Sequence, residues 1–169
     1  MAVPPRPVDE AGPHRDDSGW LQRAVELAVD NVAAGGGPFA AIVVHDGRLV
    51  ATGVNQVVPT LDPTAHGEVV AIRNACRELG DFTLAGATLY SSCELCPLCL
   101  AAALWSRVDR VLYAAPRGAA VAAGFDDGRF ADLFAIPPDR WPAPVTQVPV
   151  PNARDPFEAW EAKPDKVPY

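Results

Sequence analysis

His66-Gly67-Glu68-Val69-Val70-Ala71-Ile72 and Leu95-Cys96-Pro97-Leu98-Cys99, the second starting 27 residues after Glu68, decide the reading of this 169-residue chain. Each stretch lies near the start of a predicted helix. Asp62-Pro63 offers a capping carboxylate and a proline for the first helical position. Gly80 offers a stop, so one helix is expected over residues 63–79. Pro97 opens another over residues 97–105. Residues two apart on a regular helix point about 200° away from each other. His66 and Glu68 therefore face one point only if they sit at an irregular first turn.

Working outward, Leu21, Ala24, Val25, Ala28 and Val32 recur at helical steps, predicting a helix over residues 20–34 that Gly35-Gly36-Gly37-Pro38 ends. Apolar runs at 39–44 and 49–54 flank Asp46-Gly47, a hairpin signal. Residues 56–64 read as a loop, 87–91 as a strand, 93–96 as a turn and 108–114 as a fourth strand. Residues 146–150 are a candidate fifth strand, at an edge because of Pro149, and 157–162 a short terminal helix. The order α-β-β-α-β-α-β predicts an α/β fold, a three-layer α/β/α sandwich around a central mixed five-stranded sheet. Residues 1–17 hold four prolines and no apolar core, which predicts a disordered arm rather than a signal peptide. Residues 18–169 are then a single domain, and a cytoplasmic location is expected. No apolar run approaches the ~20 residues that span a bilayer, so no membrane partner is expected.

The net charge is −7, from 14 basic and 21 acidic residues, and the lysines, Lys163 and Lys166, lie near the C-terminus. An acidic chain does not attract phosphate backbones. The charge therefore disfavours a nucleic-acid substrate, a tRNA included, and favours a small molecule.

Cys93, Cys96 and Cys99 crowd into seven residues, a density that points to metal rather than to disulfides. Zinc takes thiolate and imidazole ligands in a tetrahedron. Cys96 and Cys99, three apart across a helix start, share a face, and helix N-termini stabilise thiolates. His66, Cys96 and Cys99 are the candidate ligands for Zn2+, leaving one position for a water whose pKa falls to about 7 on such an ion. Glu68 is the candidate carboxylate that carries a proton to a departing amine. Two other arrangements stay open. One is a closed structural site, with Cys93 as fourth ligand, in a non-enzymatic binding module. The other is an ordinary core histidine beside free thiols. Cys76 reads as a small buried residue.

His-x-Glu followed by Cys-x-x-Cys resembles the signature of the cytidine deaminase superfamily. Further stretches resemble the bacterial guanine deaminases within it: Gly36-Gly37-Pro38-Phe39, Asp62-Pro63-Thr64-Ala65-His66, Gly124-Phe125-Asp126-Asp127 and Pro156-Phe157-Glu158-Ala159-Trp160. The resemblance implies a cytidine deaminase-like fold and zinc-dependent hydrolysis of guanine, or of a related nucleoside, pterin, azapurine or aminotriazine. It implies that Asn55 bonds the purine, Phe39 stacks near it, the Gly67 N–H meets its carbonyl and Trp105 lines the pocket. Asp127 would take the N–H edge of the ring, and Asp132 would be a second acidic group beside the leaving amine. It also implies a homodimer in which residues 153–169 exchange between subunits, so that Tyr169 closes the partner's pocket. Each of Phe39, Asn55, Trp105, Asp127 and Tyr169 also has a plain reading as core, turn or chain end. Gly67 stands where the family usually has Ala, which keeps the N–H and adds freedom and room. Leu95 stands where it has Pro, which permits a different approach to the metal.

Overall fold

In the computed structural model the described residues are 15–125, 127–143 and 145–168, Asp127 for its backbone alone. Helix α1 (Asp17–Ala33) begins where Asp16 accepts a hydrogen bond from the Gly19 N–H at 2.8 Å. Asp16 caps this helix and Asp17 opens it; residues 1–14 lie outside the described residues. Strands β1 (Ala40–His45) and β2 (Arg48–Val54) form the expected hairpin. Asp46 and Gly47 both take positive φ, 50° and 72°, as a tight two-residue turn demands. A one-turn helix α2 (Val57–Thr60) occupies the expected loop. Helix α3 (Gly67–Leu79) follows and ends on Gly80 at φ 67°. Then come β3 (Ala87–Cys93), α4 (Pro97–Trp105), β4 (Arg110–Ala115), α5 (Arg117–Ala122), α6 (Asp127–Phe134), a 3-10 turn (Pro138–Arg140) and α7 (Asp155–Ala162).

The sheet runs β2-β1-β3-β4, with β1 antiparallel to both β2 and β3, and β4 parallel to β3. It is the expected mixed sheet, with four strands rather than five among the described residues. Residues 146–150 join no ladder. Pro149 and the adjoining Pro151 lack N–H donors, so alternate pairing positions have nothing to offer a neighbour. The chain divides into two compact units, Met1–Ala131 and Asp132–Tyr169. Within the second, the Trp141 indole donates to the Ile136 carbonyl at 3.1 Å and its ring lies 5.1 Å from that of Phe134. No helix among the described residues is long and apolar enough to cross a membrane.

Period-two alternation sorts β1 and β3 between two cores. Ala41, Val43 and Leu89 pack with Val69, Ile72 and Ala75 of α3 and with Cys99 and Ala103 of α4. Ile42, Val44 and Tyr90 pack with Trp20 of α1. The α1 side is tied at its edge: the Tyr90 hydroxyl donates to Asp17 at 2.6 Å and Arg110 donates to the same carboxylate at 2.8 Å. The Tyr90 bond first, then Arg110, holds the Asp17 pKa below the ordinary 3.8. A depressed folded-state value stabilises the fold above the unfolded value and loses that contribution as pH falls through the folded one. Asp17→Asn is therefore expected to lower the urea midpoint at pH 7, with the gap to wild type closing as pH drops below 3.8.

Gly53 sets how closely α3 approaches β2. A Cβ there would lie 2.2 Å from the Ala71 nitrogen and 2.3 Å from the Gly67 carbonyl oxygen. Both are backbone atoms and cannot swing aside. Gly53→Ala should cost about 3 kcal/mol or more in urea unfolding, at the upper end of overpacking effects.

Candidate active site

The segment before α3 does not start the helix as Asp62-Pro63 suggests. The Asp62 carboxylate accepts from the backbone N–H and hydroxyl of Thr64, at 2.8 and 2.7 Å, and closes a local turn. An Asp bonded two residues on favours a turn over a helix cap. The helix waits until His66, which is its N-cap in extended conformation (φ −67°, ψ 152°). Glu68 is then in the first turn. This junction is the irregularity that lets the imidazole and the carboxylate, two residues apart, reach one place.

Cys96 is likewise the extended N-cap of α4, with Pro97 behind it and Cys99 in the first turn. The His66 Nδ1 lies 3.4 Å from each sulfur, and the sulfurs are 3.6 Å apart. A tetrahedral zinc site with ordinary bond lengths has edges of about 3.6 Å between N and S and about 3.8 Å between two S. The three atoms thus outline one face of such a tetrahedron, and His66, Cys96 and Cys99 fit a zinc ion. Cys93 is not in this group. Its thiol is 3.9 Å from the Pro116 carbonyl oxygen. Cys93→Ser is therefore expected to keep one zinc per chain by metal analysis; loss of the metal would restore the closed four-ligand site.

Glu68, 5% exposed, sits against this face. Its Oε2 accepts from the Cys99 thiol at 3.3 Å and its Oε1 from the Ser91 hydroxyl at 2.9 Å. Burial is the main cause that pushes its carboxyl above the ordinary range. The pairing with the Cys99 sulfur, and after it the His66 imidazole, draws the Cys96 thiol below its ordinary range, while the same pairing and burial push Cys99 up.

Three of the residues implied to contact substrate converge on one carbonyl. The Asn55 N–H donates to the Phe39 oxygen at 2.9 Å. A Cβ on Gly67 would stand 3.1 Å from that same oxygen and 2.9 Å from the Ala40 Cα. Gly67 therefore does not add room: the entrance to β1 fills the space that a methyl would take. Leu95 is 1% exposed and packs in the core with Cys99 and Ala103. Apolar anchoring fixes the turn that a proline would otherwise fix by its ring. Phe39 meets Phe125 edge to face at 4.7 Å, which brings the Gly124-Phe125 stretch to the same neighbourhood. The side chain of Asp127, and Tyr169, lie outside the described residues. Trp105 ends α4, six residues past Cys99 and about 9 Å farther along the axis. It is 62% exposed, with the Arg107 guanidinium 5.7 Å above its ring. Asp132 is exposed and belongs to the second unit.

Two polar residues that the motifs do not mark support the site. Asn31, 5% exposed, donates to the carbonyls of Gly37 and Asn55 at 2.8 and 2.9 Å and so pins the glycine loop to the end of β2. Ser91 is the other. Its sequence signal is a pair of serines, Ser91 and Ser92, just before the cysteine cluster.

The zinc-binding region of cytidine and deoxycytidylate deaminases matches residues 14–115. The guanine deaminase of Bacillus subtilis is 45% identical over 151 residues, 89% of this chain and 97% of that protein. The chain belongs to the cytidine and deoxycytidylate deaminase family. The X-ray structure of the B. subtilis enzyme superposes with a TM-score of 0.88 at 44% identity, covering 92% of this chain and 99% of that one. A structure in complex with 2,6-diaminopurine matches at TM-score 0.70 and 33% identity, over 75% of this chain and 72% of the other. A tRNA-specific adenosine deaminase of Agrobacterium fabrum is 43% identical over 89 residues, 52% of this chain and 59% of that protein. The His66, Cys96 and Cys99 group fits the zinc-binding character of that family region.

Proposed function

We propose that the protein hydrolyses guanine to xanthine and ammonia. The observation that carries this reading is the open three-ligand face with the non-ligand carboxylate of Glu68 turned toward it. A zinc ion on that face supplies Lewis-acid activation of water. Water adds its oxygen to the ring carbon, the C–N bond to the exocyclic amine breaks, and ammonia leaves. Glu68 takes the proton of the water and delivers it to the amine. Asn55, Phe39 and the Gly67 N–H orient the ring. Asp127 accepts from its N–H edge, Asp132 assists the leaving amine and Trp105 lines the outer pocket. Likeness over nearly the whole length to an enzyme named for guanine supports the base over the tRNA adenosine of the shorter match, as does the net charge of −7.

The active form is a homodimer of three-layer subunits in the cytoplasm. Exposed Leu100 of α4 beside Val111 and Tyr113 of β4 supports a covered apolar face. Residues 153–169 cross to the partner, and Tyr169 closes its pocket.

The test is ammonia release by zinc-loaded protein from guanine, guanosine, adenine, cytidine, 2,6-diaminopurine, an azapurine, a pterin and an aminotriazine. Guanine should lead. Turnover of another heterocycle with guanine untouched would overturn the reading.

A further inference from the structure

We propose that Ser91 is the positioning residue of the Glu68 carboxylate: its hydroxyl fixes which carboxylate oxygen is turned to the metal-ligand group. The inference rests on the reading of Glu68 as proton carrier. Ser91 lies on β3, which is bonded on both sides, opposite Ala41 of β1 and Tyr113 of β4. It is 1% exposed, so its place is set by the sheet and not by solvent.

A serine hydroxyl has one proton to give. The Cys93 backbone N–H points at the Ser91 oxygen, at 3.4 Å, and occupies a lone pair. The hydroxyl proton is directed to Glu68 Oε1, at 2.9 Å. Oε2 is thereby left on the side of Cys99, 3.3 Å from its sulfur. The last torsion of a glutamate is broad and roughly two-fold. Nothing intrinsic to the side chain holds that orientation, and a bond from a rigid strand does.

The surroundings argue the same way. Period two puts Ser91 on the face of β3 that carries Leu89, beside Ala41, in an apolar core. A buried hydroxyl without a partner is costly there. An apolar side chain would serve packing better, and Glu68 is the group that the hydroxyl serves instead.

The test compares zinc-loaded S91T and S91V, which share a shape and differ by one hydroxyl, with S91A as the smaller variant. All should bind zinc as wild type does. S91T should keep kcat for guanine within about threefold. S91V and S91A should lose about 10- to 100-fold in kcat, with KM changed about twofold or less, as expected when a reacting group is misplaced and not removed. Crystal structures of zinc-loaded S91V and S91A should show the Glu68 carboxylate turned while the three ligands stay. Equal kcat for S91T and S91V, a joint collapse of zinc content, KM and kcat, or an unmoved carboxylate would each overturn the role. Wild-type protein inert toward guanine overturns the guanine reading alone. The orientation of Glu68 in whichever of the two hydroxyl-free variants folds still decides the part played by Ser91.

Discussion

Glu68→Gln is expected to leave zinc bound and to reduce ammonia release by about 10³-fold, within the range for losing a general acid–base group. The amide has the same shape and keeps an oxygen that can accept from Ser91, so the 2.9 Å bond has a counterpart in the variant. His66, Cys96 and Cys99 remain as they are, and metal analysis should still give one ion per chain. What the amide cannot do is take a proton from water and hand it to an amine. KM should change little by comparison, because a carboxylate that works on the proton in flight contributes mainly to the transition state. Activity within a few-fold of wild type would remove Glu68 from the chemistry.

Cys99→Ala is expected to abolish zinc binding and, with it, turnover. Cys99 is 1% exposed and contributes one corner of the ligand face. Its loss leaves an imidazole and one thiolate, too few protein ligands for a stable tetrahedral site. The substitution also leaves a small hole in the core formed by Leu95 and Ala103. The variant should unfold at lower urea than zinc-loaded wild type, by about 2 kcal/mol or more, since metal binding and folding are linked. Chelator-treated wild type separates the two causes: it lacks the ion and keeps the sulfur. Zinc content matching wild type in the variant would mean that another residue completes the site.

Much of the site was legible because its chemistry dictates its spacing. Two thiolates at a helix start and a His-x-Glu at another leave few ways to share an ion, and the irregular first turn follows from the 100° step of a helix. Its cause was misread at Asp62, whose short carboxylate found Thr64 before it could cap anything. The hairpin was legible from Asp46-Gly47, since those residues tolerate positive φ. The strand expected over 146–150 failed because apolar residues announce burial but not a pairing partner, and the prolines among them remove donors. Asn31 and Ser91 escaped notice because a buried polar residue is conspicuous only once its depth is known. Gly67 was misjudged for a related reason: a sequence tells that a methyl is missing, not what stands in its place.

Gly67 is bound to its neighbours by close packing. With the backbone of Phe39 and Ala40 seated where a methyl group would go, position 67 has lost its independence. Restoring alanine requires the start of β1 to retreat, and that start is bonded to Asn55 and, through the Ala40 N–H, to the Ser92 hydroxyl at 3.0 Å. An alanine at 67 is therefore not an isolated change: helix and strand fit each other at the size of the smaller residue, and a methyl calls for a compensating shift in Phe39, Ala40 and the bonds they make.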